Sequence, residues 1–174
     1  MGQDRRAAAR KAAGALDPMS GTLSLDRIGI VVIGRNEGER LRRCLHSLAG
    51  QGGRAVYVDS GSTDGSVALA RAMGLRVVEL DPGRPFTAAR GRNAGFAALM
   101  EDGAPDLVQF VDGDCELVPG WTEAAAAAMQ ADPSIGIATG WRTEIEPERN
   151  LFHALAEMEW HGPVGDDRVL RGGR

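Results

Sequence analysis

The sequence predicts an α/β domain built on a mainly parallel sheet. Short apolar, β-branched runs recur along its 174 residues. Each of the first three is followed by a polar or turn-rich loop, and each loop gives way to a segment of helical periodicity. Strands alternating with helices pair in parallel, because each helix carries the chain back to the edge where the next strand starts.

The elements follow in order. Ile28 to Ile33 reads as a buried strand, and Asn36 is expected to cap the helix after it, with Glu39 in the first turn. Leu41, Cys44, Leu45 and Leu48 form the i, i+3, i+4, i+7 stripe of a helix packed on a sheet, and Gly50, Gly52 and Gly53 stop it. Ala55 to Val58 is a second strand, ending at Asp59. The loop Ser60-Gly61-Ser62-Thr63-Asp64-Gly65 leads to a helix through Ala68, Ala70 and Met73, stopped by Gly74. Arg76 to Leu80 is a third strand, and Asp81-Pro82-Gly83-Arg84-Pro85 is a turn. Thr87 opens a helix to about Met100. Leu107 to Val111 is a strand, Trp121 to Gln130 a helix, and Ile135 to Thr139 a further strand. Asn150 to Trp160 is helical, with Leu151, Ala154, Leu155 and Met158 on one face. Residues 27–174 read as one domain, preceded by a basic, Ala-rich extension over 1–26.

Composition narrows the function. A formal net charge of −4 argues against a general nucleic-acid binder, while the single lysine, Lys11, among many arginines reflects a GC-rich coding sequence rather than chemistry. Cys44 and Cys115 are isolated, and His46, His153 and His161 have no metal-ligand spacing, so a reducing cytoplasm is the expected compartment. No apolar run approaches the roughly 20 residues that span a bilayer. The stretch from Arg5 to Lys11 is open to two readings. One is a frayed extension, which the composition favours. The other is a surface helix touching anionic lipid at the inner face of the membrane.

Three strand ends carry polar clusters: Arg35-Asn36-Glu37, Asp59-Ser60-Gly61-Ser62 and Asp112-Gly113-Asp114. A parallel sheet places all three on one edge, where α/β folds present ligand sites and helix N-termini attract phosphates. Asp112 and Asp114, two apart on extended backbone, are expected on the same side, suited to a hard divalent cation or a ribose. Gly113 is expected to let both backbone and ligand approach closely. The spacings Gly34-x-x-x-Gly38 and Gly61-x-x-x-Gly65 match neither the dinucleotide fingerprint nor a Walker loop. Trp121, Trp141, Trp160 and Phe86 read as packing rather than sugar platforms.

Four separated motifs resemble family 2 glycosyltransferases of the GT-A fold. They are Val31-Val32-Ile33-Gly34-Arg35-Asn36-Glu37, Val58 to Gly65, Ala89-Arg90-Gly91-Arg92-Asn93-Ala94-Gly95 and Val111-Asp112-Gly113-Asp114. The resemblance covers about residues 28–165, and Pro163-Val164-Gly165 is similar to a segment of one bacterial subgroup. It implies a three-layer α/β/α sandwich and inverting transfer from a UDP-, GDP- or dTDP-linked sugar. Asn36 and Glu37 would lie beside the nucleoside, and Asp59, with Ser60 and Gly61, would receive the base. Arg92 and Asn93 would line the ribose and diphosphate. Asp112 would approach the ribose or sugar, and Asp114 would ligate Mg²⁺ or Mn²⁺. In the family an acidic general base follows a Gly-Gly segment, which Gly172-Gly173 resembles. The base is therefore expected outside this chain, which would be an incomplete, donor-binding part. Glu157, Glu159, Asp166 and Asp167 are poor substitutes. Two other readings were weighed. One is a non-catalytic nucleotide-sugar binder. The other is a haloacid-dehalogenase-type phosphatase, disfavoured because no lysine follows Lys11.

Overall fold

The computed structural model describes residues 23–160. The basic extension up to residue 22 and the tail with Asp166, Asp167 and Gly172-Gly173 lie outside the described residues. After a single 3₁₀ turn at Leu25–Arg27 come β1 (Ile28–Gly34), α1 (Glu39–Ser47), β2 (Arg54–Asp59), α2 (Ser66–Ala72) and β3 (Arg76–Glu79). Then follow α3 (Ala88–Glu101), β4 (Leu107–Asp112), α4 (Trp121–Ala131) and α5 (Leu151–Trp160). The sheet order is β3-β2-β1-β4, and every pairing is parallel. Gly34 therefore stands beside Asp59, and Ile33 beside Asp112. The three polar clusters share one edge, as the alternation of elements predicts.

Side chains alternate along the central strand and build a core on each face. Ile30 and Val32 pack with Leu41, Cys44, Leu45 and Leu48 of the first helical layer, and with Tyr57, Ala70 and Val111. Val31 and Ile33 pack on the other face with Val56, Val58, Leu80, Ala98 and Leu99. The sheet thus lies between helices on both sides, the expected three-layer arrangement. Helix α3 starts as read: Thr87 is its N-cap, and its hydroxyl accepts a bond from the Arg90 amide at 3.1 Å.

Two glycines set how closely α3 lies on the sheet. A Cβ at Gly95 would stand 2.3 Å from Val31 Cγ1 and 3.0 Å from Val58 Cγ2. One at Gly91 would stand 3.2 Å from Ile33 Cγ2. Glycine inside a helix costs about 1 kcal/mol relative to alanine. Here it lets the helix backbone rest directly on Ile33, Val31 and Val58.

One expected element needs correction. Ile135 to Thr139 forms no strand, and Ile137 is 83% exposed. A strand needs a neighbour to take its backbone bonds, and the sheet ends at β4 among the described residues. The segment instead leads into Gly140, whose Cα lies against the Trp121 ring; an added Cβ would be 3.0 Å from Trp121 Cζ3. Helix α5 forms as read and is capped by Asn150, whose Oδ1 accepts from Phe152 N at 2.9 Å. Its apolar stripe is nevertheless not buried, with Leu151, Leu155 and Met158 all exposed. Among the described residues, no helix is long and apolar enough to cross a membrane.

Candidate functional site

The first two loops are clasped to one another. Asn36 adopts φ 57°, the left-handed region that asparagine tolerates better than most residues. Its Oδ1 accepts from Thr63 N at 2.7 Å, and its own amide donates to Ser62 Oγ at 2.9 Å. It therefore does not cap α1. Gly38 is the N-cap, and the Gly38 amide donates to Asp64 Oδ2 at 2.9 Å. The other oxygen of Asp64 accepts from Ser66 N at 3.1 Å and Ser66 Oγ at 2.6 Å, at the start of α2. One carboxylate thus serves two helix N-termini, where negative charge is favoured.

The Ser66 hydroxyl first, and backbone amides after it, hold the Asp64 carboxyl below the ordinary aspartate range. A depressed pKa contributes stability that is present above the ordinary value and lost as pH falls through the folded one. Two outcomes are expected by amide exchange. Acidification below the aspartate range should loosen the Gly38 and Ser66 amides, and Asp64→Ala should do so at neutral pH. Unchanged protection in the variant would contradict the clasp.

Asp59 ends β2 and is only 2% exposed. Its Oδ2 accepts from the amides of Gly61 at 2.9 Å and Ser62 at 2.8 Å, and its Oδ1 from the Tyr57 hydroxyl at 3.0 Å. Burial, foremost, raises the Tyr57 pKa, so the phenol stays protonated and keeps donating. The expected direct reading of a base by Asp59 thus meets a carboxylate already engaged at both oxygens. Ser60 N donates to Gly34 O at 3.0 Å, joining the same loops by their backbones.

The other end of the edge carries the carboxylates. Asp112 ends β4, and Cys115 N donates back to Asp112 O at 2.9 Å, which makes residues 112–115 a turn. The same-side placement expected from extended backbone therefore does not apply to Asp114. At Gly113 the backbone does approach closely, as the sequence reading expects. Its amide donates to Ile33 O at 2.7 Å, and a Cβ would lie 3.2 Å from that oxygen, 3.3 Å from Leu41 Cδ1 and 3.4 Å from Glu37 Cγ. Arg92 Nη2 of α3 lies 2.7 Å from Asp112 Oδ1, while Asn93 beside it is exposed. Glu37 is largely buried, its Oε2 2.7 Å from Arg40 Nη2 as an ion pair outside hydrogen-bond alignment.

Asp114 is exposed, and its Oδ1 accepts a weak bond from Cys115 Sγ at 3.5 Å. Burial and then the Asp114 charge push the Cys115 thiol up to about 11, and burial pushes Cys44 to about 12; both cysteines are free. Helix α1 and the loop after it hold the chain beyond the turn. Ser47 Oγ accepts from Leu117 N at 2.9 Å, Arg43 pairs with Glu116 at 2.9 Å, and Gln51 Nε2 donates to Val118 O at 2.6 Å. Glu157, weighed as a base, accepts a bond from the Glu144 amide.

A family model described as glycosyl transferase family 2 matches residues 29–170, which include all three strand-end clusters and α3. The chain belongs to glycosyl transferase family 2. Relatives in the family include a TPR repeat-containing protein of Synechococcus elongatus, 33% identical over 149 residues, 85% of this chain and 32% of the relative. An uncharacterized protein of Mycobacterium tuberculosis is 32% identical over 144 residues, 74% of this chain and 43% of the relative. Among solved structures, glucosyl-3-phosphoglycerate synthase from Mycobacterium tuberculosis in complex with UDP superposes with a TM-score of 0.52 and 25% identity. That match covers 62% of this chain and 41% of the synthase. The same synthase with Mn²⁺, UDP and glucosyl-3-phosphoglycerate gives a TM-score of 0.51 at 24% identity. This family 2 chain spans less than half the length of each of these relatives.

Sequence reading missed two participants in the two clasped loops. Asp64 was recoverable, since an aspartate just before a helix start is a capping signal. Tyr57 reads only as a strand aromatic.

Proposed function

We propose that this chain is the donor-binding part of a metal-assisted, inverting glycosyltransferase that uses a nucleoside diphosphate sugar. The observation that carries the reading is the division of one strand edge into two unlike ends. A clasped, amide-rich end lies at Asn36 and Asp59–Ser62, and a charged end at Arg92, Asp112 and Asp114. A nucleotide sugar has the same polarity, a neutral nucleoside joined to an anionic diphosphate. The UDP and Mn²⁺ in complexes of the structurally similar synthase support the same choice.

In this reading Asn36 and Glu37 flank the nucleoside. Asp59 acts by shaping the loop of Ser60 and Gly61 that receives the base. Arg92 and Asn93 face the diphosphate; Arg92 leaves Asp112 to make charge-assisted bonds to phosphate oxygens, freeing Asp112 for the ribose or sugar. Asp114 fits a Mg²⁺ or Mn²⁺ ligand, because its carboxylate is exposed and, among the described residues, forms no ion pair, only a weak bond from the Cys115 thiol. A divalent ion held there would supply Lewis-acid stabilisation of the departing diphosphate. We assign the acceptor's general base to none of the described residues. A cytoplasmic location accompanies the reading.

Calorimetry with UDP, GDP, dTDP and uridine tests it. At least one diphosphate is expected to bind more tightly with Mn²⁺ than without, and uridine to show no such gain. Asp59→Ala is expected to weaken uridine and UDP alike, because the loop it shapes meets the nucleoside. Absence of any metal-dependent nucleotide binding would overturn the donor-site reading.

A further inference from the structure

We infer that Phe86 is a positioning residue that holds the Asp59–Ser62 loop in its binding shape; its link to ligand affinity rests on the donor-site reading above. Phe86 sits in the loop between β3 and α3, a segment rich in proline and glycine. Three features converge on its ring. Gly61, at φ 81°, lies so close that an added Cβ would be 3.0 Å from Phe86 Cζ. The guanidinium carbon of Arg35, next to Asn36, is 5.5 Å from the ring centroid. That of Arg90, on α3, is 5.8 Å away.

Arg90 also fixes the backbone that carries the ring. Its Nη1 donates to Arg84 O at 2.8 Å and Pro85 O at 3.3 Å, and its Nη2 to Asp81 O at 3.0 Å. Leu80 N donates to Asp59 O at 2.9 Å, so the third loop leaves from beside the second. The ring therefore joins loops after three different strands. Residues two apart on a helix point about 200° apart. Arg90 and Arg92 thus reach to opposite sides of α3, one to the Phe86 loop and the other to Asp112. One helix braces both ends of the site.

A residue that only filled space would be replaced adequately by leucine. A residue that acts through its π face would not, because a cation over an aromatic ring gains electrostatic energy that an aliphatic side chain cannot supply. Phe86→Leu and Phe86→Tyr separate the two cases, with thermal melts to show that both stay folded. Phe86→Leu is expected to speed exchange of the Gly61 and Ser62 amides about tenfold, leaving those of Val31 and Val58 unchanged, and to weaken UDP about five- to thirtyfold. Phe86→Tyr is expected to restore both. Unchanged exchange at Gly61 and Ser62 in Phe86→Leu would overturn the inference, as would equal UDP affinity in the two variants. Faster exchange in a protein whose wild type binds no nucleotide would uphold the tie and sink the donor reading instead.

Discussion

Asp114→Ala is expected to abolish the Mn²⁺ dependence of UDP binding while leaving metal-free binding within about twofold of the wild type. The Asp114 side chain does not hold its own turn together. The turn at 112–115 is held by backbone bonds, Gly113 N to Ile33 O and Cys115 N to Asp112 O, and by anchors from α1 and the Gln51 loop to Leu117, Glu116 and Val118. Truncating an exposed carboxylate removes none of them. What disappears is the only oxygen ligand proposed for the metal, and with it the ion that neutralises the diphosphate. Without that carboxylate the ion would lose the residue that holds it, so a tenfold or greater loss of the Mn²⁺-induced gain is the expected scale. Asp112→Asn is the instructive contrast, because it releases Arg92 from its ion pair without touching the turn. Calorimetric titrations with and without Mn²⁺ check the result, and a full metal-induced gain in Asp114→Ala would remove Asp114 from the metal site.

Gly95→Ala is expected to destabilise the fold by about 2 kcal/mol, a fall in Tm of about 4–8 °C. Two effects of opposite sign compete. Alanine favours a helix by about 1 kcal/mol over glycine, which alone would stabilise α3. Against this, its Cβ would stand 2.3 Å from Val31 Cγ1 and 3.0 Å from Val58 Cγ2. Both valines are fully buried on strands at the centre of the sheet, so neither can turn aside. Overpacking in such a place costs about 1–3 kcal/mol or more, and the clash wins. Gly136→Ala serves as the control, since a Cβ there meets nothing within 4 Å. Thermal denaturation followed by circular dichroism decides; an unchanged or raised Tm in Gly95→Ala would contradict the close seating of α3.

What the sequence discloses follows the range of the forces involved. The strands, the α1 stripe and the Thr87 cap depend on neighbours a few residues away, and periodicity reports them directly. The common edge of the three clusters is also legible, because parallel topology follows from alternation of elements. Asn36 is different. Its role depends on Ser62 and Thr63, and no local pattern reveals that its side chain crosses to another loop rather than capping its own helix. Gly113 likewise answers to Ile33, Leu41 and Glu37. Ile135 to Thr139 has the composition of a strand and lacks a neighbouring strand among the described residues. Phe86 is informative only with Gly61, Arg35 and Arg90 around it. The glycines of α3 belong to a motif, yet what they do here is mechanical: Gly91 lies against Ile33, and Gly95 against Val31 and Val58.

The clasp between residues 36–38 and 62–64 bears on the thermodynamics of recognition. Fixing the backbone of one loop residue costs about 1–2 kcal/mol of conformational entropy. Here that ordering is completed during folding, by bonds from Asn36, Gly38, Asp59 and Asp64. In the donor-site reading, a nucleoside arriving at this end would meet a seat already ordered. The heat-capacity change on binding should then reflect only the surface the ligand covers, with no share from a folding loop.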